Sequence, residues 1–327
     1  MDIEFHYYIT FILCRHAGFG PDESYRIAYS SQYTDDNCYH YYVNFIDSPN
    51  YSNETSQTVD ITKPSIKRLM IYPIFHFIPG CEDTRKACLF DCGHTLPLMT
   101  VPNSTLSREL LREAFETRNL YRIGIALHVF ADTWSHQNFF GRRDVWNART
   151  APIALPHICH ANFTRDPDRI NHEWTDDRLP DPFCRINNNE RFLSAAKEMF
   201  TYLYPFLHPG STESEALAVF SQLKGKLEGC MIARAPLGGA GDARVAAYKE
   251  ICPDLSEERY DYDLNRWRHA AIEKKEMELD IFDCYWGKQS FFDSDWYKFQ
   301  EAVKDHRRCA MERIKPIYHA LGLDSMQ

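Results

Sequence analysis

The stretch Tyr121–Gly141, YRIGIALHVFADTWSHQNFFG, constrains the chain more than any other. It holds no proline and no glycine between Gly124 and Gly141, and its apolar residues recur every three to four positions. That period predicts a buried helix. His128, Asp132 and His136 lie four residues apart on it. Each such step turns a helix by roughly 40° and climbs about 6 Å, so the three side chains share one stripe. His128 and Asp132 are close enough to share a metal ion, and so are Asp132 and His136. His128 and His136 stand about 12 Å apart along the axis, too far to meet comfortably at one ion. If all three are ligands, more than one metal is needed, with Asp132 between them. The alternative is a buried polar stripe satisfied by hydrogen bonds to neighbouring helices.

A chain of 327 residues can bury a sizeable core. The net charge of −9 argues against nonspecific nucleic-acid binding, but not against a small phosphate-bearing substrate held by cations. The N-terminus, MDIEFHYYITFILCRH, lacks a basic region and a small-residue cleavage site, so no signal peptide is expected. No apolar run is long enough to span a membrane. A cytoplasmic protein with reduced thiols is the expectation for its eleven cysteines. Cys81, Cys88, Cys92 and His94 lie close together, as in a small structural zinc site, although their spacing fits no standard pattern.

Helical spacing runs through residues 3–17 and is closed by Gly18-Phe-Gly20-Pro21. Pro21-Asp-Glu opens a second helix, with proline in the first turn and acids at the positive end. Residues 38–64 read as loop with at most a short hairpin, and 66–79 as an extended or broken segment between Pro73 and Pro79. A helix is predicted over 105–119, then a long polar loop over 142–189. Beyond it, helices are predicted over 190–206, from the capping box Thr212-x-x-Glu215 to about 229, over 256–285 and over 294–321. The run from 235 reads as loop. The fold class is therefore mostly α. Residues 1–188 form a metal-binding helical core and 189–327 a helical extension packed on it, or one continuous domain.

Other candidate ligands lie along the chain. His6 follows Asp2 and Glu4, Asp35 and Asp36 close the second helix, and Phe75 and Phe77 flank His76. His157, His160, Asp168 and His172 lie in the long loop. Nitrogen and oxygen donors favour zinc or a similar divalent ion.

The order of His, Asp, His and then His-x-x-x-Asp on a helix resembles the zinc-dependent phospholipase C and S1/P1 nuclease superfamily. The segments MDIEFHYYITF, IAYSSQYTDDN, IYPIFHFIPG and IGIALHVFADTWSHQNF resemble more closely an uncharacterised, mostly bacterial family, over roughly residues 1–180. The superfamily resemblance implies a multi-helix core and two or three zinc ions, with iron or manganese as alternatives. It places His6 with the bridging Asp132 at one ion, where the superfamily adds a processed N-terminal amine and where Asp2 or Glu4 are substitutes. Asp35 or Asp36, His76, His128 and Asp132 hold the second ion, and His136, His160 and Asp168 the third. His160 carries Thr164, not an acid, four residues on. Asp132 and Asp36 are the carboxylates expected to serve the reaction directly. The implied reaction is hydrolysis of a small phosphoester by metal-activated water, with Arg142, Arg143, Arg165 or Arg169 holding the phosphate. The rival readings are a metal-dependent lyase or cyclase, a di-iron oxygenase acting on a small metabolite, and a non-catalytic protein stapled by metal.

Overall fold

The computed structural model describes residues 1–58, 69–80, 98–150, 155–234, 240–275 and 284–323. The first helical segment begins with a π-helical turn, Glu4–Ile9, and continues as α1, Thr10–Ala17. Gly18 closes it at φ 108°, a left-handed conformation that glycine adopts without strain. Helix α2 spans Pro21–Asp36, with Asp35 and Asp36 in its last turn. Strands β1, Tyr42–Asn44, and β2, Tyr51–Ser52, pair antiparallel as the short hairpin. The single turn α3, Tyr72–Phe75, is what the proline-bracketed segment forms. Helix α4, Thr105–Glu116, is capped by Ser104, and the central helix α5, Leu120–Ser135, by Asn119, whose side chain accepts from the N–H groups of Tyr121 and Arg122. The four-cysteine cluster lies outside the described residues.

The long polar loop contains a small hairpin, β3, Glu173–Thr175, against β4, Arg185–Asn187. Helices α6, Asn188–Leu207, and α7, Glu213–Met231, follow, the latter opened by the Thr212–Glu215 capping box. Helix α8, Ala240–Ile251, stands where loop was expected. The long helix predicted over 256–285 does not form. That region holds two 3₁₀ turns, a short helix α9, Arg266–Ala271, and strands β5, Ile272–Lys275, and β6, Cys284–Gly287. Strand β5 pairs antiparallel with β6, and β6 runs parallel beside β1. The last helix, α10, spans Asp295–Ala320 with Pro316 inside it.

Helix α5 lies in the middle. It packs most extensively on α2, and also on α4, α6 and α10. The α2–α5 crossing is close because of Gly124: a Cβ there would lie 2.4 Å from the Ile27 carbonyl oxygen and 2.6 Å from Ser30 Cβ. One to two turns further along each helix, Asp35 comes to 3.8 Å from His128. The apolar core crosses the expected 188/189 boundary. Phe5 packs on Phe192, with ring centroids 5.6 Å apart, and Tyr33 on Phe299 at 5.0 Å. A second apolar cluster, including Phe77, Phe139, Phe163 and Trp174, lies under the long loop. Arg178 is clamped there by Asp176, its guanidinium 3.9 Å from the Phe139 ring centroid. Among the described residues no helix is long and apolar enough to cross a membrane.

Candidate metal centre

The eight positions come from six segments. His6 sits in the π-helical turn, in a chain geometry found frequently at functional sites. Asp35 is in the last turn of α2, His76 ends α3, and His128 and Asp132 face inward from α5. His136 is the residue immediately after α5, and His160 and Asp168 belong to the loop over the second apolar cluster. Their donor atoms gather in three overlapping groups, each within 4.8 Å: His6, Asp35 and His128; His76, His128 and Asp132; His136, His160 and Asp168. Imidazole and carboxylate side chains in such groups could hold metal ions.

Asp132 is the hub and is 1% exposed. Its Oδ1 lies 2.5 Å from the Met1 amino nitrogen and 3.2 Å from His6 Nε2. Its Oδ2 faces His128 Nε2 at 3.3 Å, His76 Nδ1 at 3.4 Å and His136 Nδ1 at 3.5 Å, yet among the described residues it makes no hydrogen bond. Among the described residues, His6 Nε2 and His128 Nδ1 are also buried without a hydrogen-bond partner. Buried polar atoms left in this way are costly unless something occupies the space between them.

Hydrogen bonds on the far side of the rings fix which nitrogens carry protons. His76 Nε2 lies 2.9 Å from the Ser56 carbonyl oxygen, His136 Nδ1 2.8 Å from that of His76, and His160 Nδ1 2.8 Å from that of Thr164. A carbonyl only accepts, so each of these nitrogens carries the ring N–H. In a neutral ring the other nitrogen then presents a lone pair. His76 Nδ1 aims it at His128 Nε2 (3.1 Å) and His160 Nε2 at Asp168 Oδ2 (3.3 Å), while His136 Nε2 lies 3.2 Å from Asp168 Oδ1. Of these, His160 Nε2 against Asp168 Oδ2 sets acceptor against acceptor, because burial lowers His160 and keeps its ring neutral, and a cation there would relieve it. His128 Nε2 can donate to His76. Against the lowering effect of burial, Asp132 and Asp168 raise His136, so its ring can donate to Asp168. Backbone carbonyls that fix the tautomer of a ring are the usual outer partners of metal-bound histidine.

The electrostatics agree. Three carboxylates, Asp35, Asp132 and Asp168, meet one ammonium, that of Met1. Burial alone would push the Asp132 carboxyl up, but His136, the Met1 amine and His128 hold it well below the usual carboxylate range. Asp168 is held down in the same way by His160, the amine and His136. Burial also opposes charge on the amine, yet Asp132, Asp168 and Asp35 raise it to about 11. Burial, and then His128, lower His6 to about 3, leaving its ring neutral.

A cavity of about 470 Å³ opens onto this cluster, lined on its polar side by Asp35, His76, His136, His160 and Asp168 and on its apolar side by Tyr72, Phe77 and Ile158. The structure brings together the expected ligands with one exception. Asp36 belongs to none of the three groups, because its Oδ2 accepts from Tyr262 at 2.5 Å and Gln32 at 3.0 Å. Asp35, not Asp36, supplies the α2 carboxylate. Glu4 is held by both arms of Arg244, at 2.7 and 2.6 Å, and Asp2 lines the cavity outside the groups. The Met1 amine occupies the place considered for them. His157 is in none of the groups, and His172 pairs with Asp166 at 3.1 Å. Of the four arginines, Arg165 lines the cavity, whereas Arg142 is tied to Asp144. Two supporting residues have no distinct sequence signal: Ser135 donates to Asp168 Oδ1 at 3.2 Å, and Gln57 to Asp35 Oδ1 at 3.3 Å. Ser135 does lie inside the His128–His136 motif, and its single-turn offset from Asp132 is the one feature that could have marked it.

No curated protein and no solved structure matches the chain. One family model does, over residues 1–314, well beyond the N-terminal portion that carries the sequence resemblance. The chain thus belongs to the family of unknown function DUF6765.

Proposed function

We propose that the protein is a metal-dependent hydrolase of a small phosphoester, working with two or three divalent ions for which zinc suits the donors. The observation that carries this reading is the gathering of five imidazoles and three carboxylates into three groups, each with donor atoms within 4.8 Å of one another, beside a cavity of about 470 Å³. His6 and Asp132 would hold one ion, Asp35, His76, His128 and Asp132 a second, and His136, His160 and Asp168 a third. Ions bound there would lower the pKa of a water molecule and offset charge on the phosphorus oxygens. The chain supplies the rest. Asp132 ties the subsites together, and the carbonyls of Ser56, His76 and Thr164 keep the imidazoles aimed. Arg165 sits exposed on the cavity wall with no ion pair among the described residues, and would orient the phosphate.

The test has two parts. Elemental analysis of purified protein should find two or three zinc per chain, and bis(p-nitrophenyl) phosphate should be cleaved by an activity that chelation removes and zinc restores. Protein that takes up no metal sinks the whole reading. Metal-loaded protein that cleaves no phosphoester sinks the hydrolase and retains the centre, and bound iron would turn the reading toward oxygen chemistry.

A further inference from the structure

The C-terminal helix α10 lies outside the ligand set, yet two of its residues reach backbone carbonyls close to His76 and to its partner Ser56, and a third reaches the Asn37 side chain beside Ser56. His306 is fully buried and close to Arg122 of α5. Arginine only donates, so His306 Nδ1 accepts from Arg122 and Nε2 carries the proton. That N–H donates to the Ile74 carbonyl at 3.2 Å, and the His306 ring stacks on Phe75, with centroids 5.4 Å apart. His76 is the next residue. Arg307 donates to the Thr55 carbonyl at 2.7 Å and pairs with Glu54 at 2.9 Å. Thr55 precedes Ser56, whose carbonyl takes the His76 N–H at 2.9 Å. Gln300, fully buried, donates to Asn37 Oδ1 at 2.9 Å, and Asn37 in turn donates to Ser56 Oγ at 3.2 Å.

We infer that α10 is the positioning element of the His76 subsite, with His306 and Arg307 as positioning residues that set the direction of the His76 lone pair. The inference rests on the metal reading above. One grip fixes the main chain entering His76, and the other fixes the carbonyl that selects its tautomer. An apolar helix could fill the same volume but could not do either. The buried Arg122–His306 pair is costly in a core, and a positioning role gives that cost a purpose.

The experiment uses the full chain loaded with Co²⁺ alone, whose visible d–d bands report ligand geometry. His306→Leu removes the donor to Ile74, His306→Gln keeps an amide N–H and an acceptor in its place, and Arg307→Met releases Thr55. Leu227→Ala in α7 serves as a destabilised control remote from the site. Circular dichroism defines a temperature at which each variant is folded. His306→Leu and Arg307→Met should weaken Co²⁺ about 10- to 100-fold in chelator competition and change the band shape. His306→Gln should restore both, and Leu227→Ala should change neither. Wild-type affinity and spectrum in folded His306→Leu and Arg307→Met would overturn the proposal while leaving the metal centre standing. An equal loss in Leu227→Ala would also overturn it, since general destabilisation would then suffice. A wild-type chain that binds no Co²⁺ removes the metal reading and this one together. If His306→Leu does not fold, Arg307→Met, on a side chain 20% exposed, decides alone.

Discussion

At the scale of single residues, Asp132 differs from its neighbours in serving several donors at once. Its two oxygens face the Met1 amine and four imidazoles within 3.5 Å. Asp132→Ala should therefore cost the folded protein at least two equivalents of metal, read by elemental analysis. Loss of a single equivalent would contradict the bridging role. His160→Ala removes a ligand of one group only and leaves Asp132 in place, so it should cost one equivalent, with the other subsites filled. The Asp132 stripe is legible in the sequence because four-residue spacing on one helix is a local signal. The choice between Asp35 and Asp36 is not legible there. Adjacent residues on a helix end point roughly 100° apart, and Tyr262, more than two hundred residues away, captures Asp36. His160 is separable from His157 only through the resemblance, because loop geometry carries no periodicity.

At the scale of elements, the site depends on how closely α2 and α5 approach, and Gly124 sets that distance. Gly124→Ala would put a methyl 2.4 Å from a main-chain oxygen, which cannot move like a side-chain tip. It should destabilise the fold by about 1–3 kcal/mol, the usual cost of overpacking, and loosen metal binding by separating Asp35 from His128 and Asp132. Thermal unfolding and a metal titration on the same sample check both effects. Thr212→Ala makes the contrast. It removes the capping-box hydroxyl of α7, far along the chain from the centre, and should cost about 0.5–2 kcal/mol with metal content unchanged. Elements with local signals, such as α5 and α7, are readable from the sequence. The strands β5 and β6 are not, because Ile272–Lys275 and Cys284–Gly287 gain their hydrogen bonds from each other and from β1, near the other end of the chain. Helix α8 begins inside a glycine-rich run whose local preference is for loop, and the Tyr8–Tyr248 stack, with centroids 6.0 Å apart, is a contact of the folded state.

At the scale of the molecule, the centre is the meeting point of segments spread from Met1 to Asp168, braced from outside by α10. Folding must bring together three carboxylates, one ammonium and five imidazoles, most of them buried. The metal-free native state therefore carries electrostatic cost that the unfolded chain, with those groups in water, does not. Cations that bind the folded state alone relieve it, and stability then rises with free metal by about 2.7 kcal/mol at a hundred times the dissociation constant. In chains of 150–250 residues each kcal/mol moves the melting temperature by about 2–4 °C, so a gain on the order of 5 °C is expected here. Chelation should lower the melting temperature by that much, zinc should restore it, and the restored value should keep climbing with the logarithm of free zinc. Asp132→Ala should abolish that climb while Thr212→Ala keeps it on a lowered baseline. A melting temperature indifferent to chelation and zinc, in protein that unfolds cooperatively, would mean that ordinary contacts satisfy these buried groups, and the proposed hydrolase function would lose its centre.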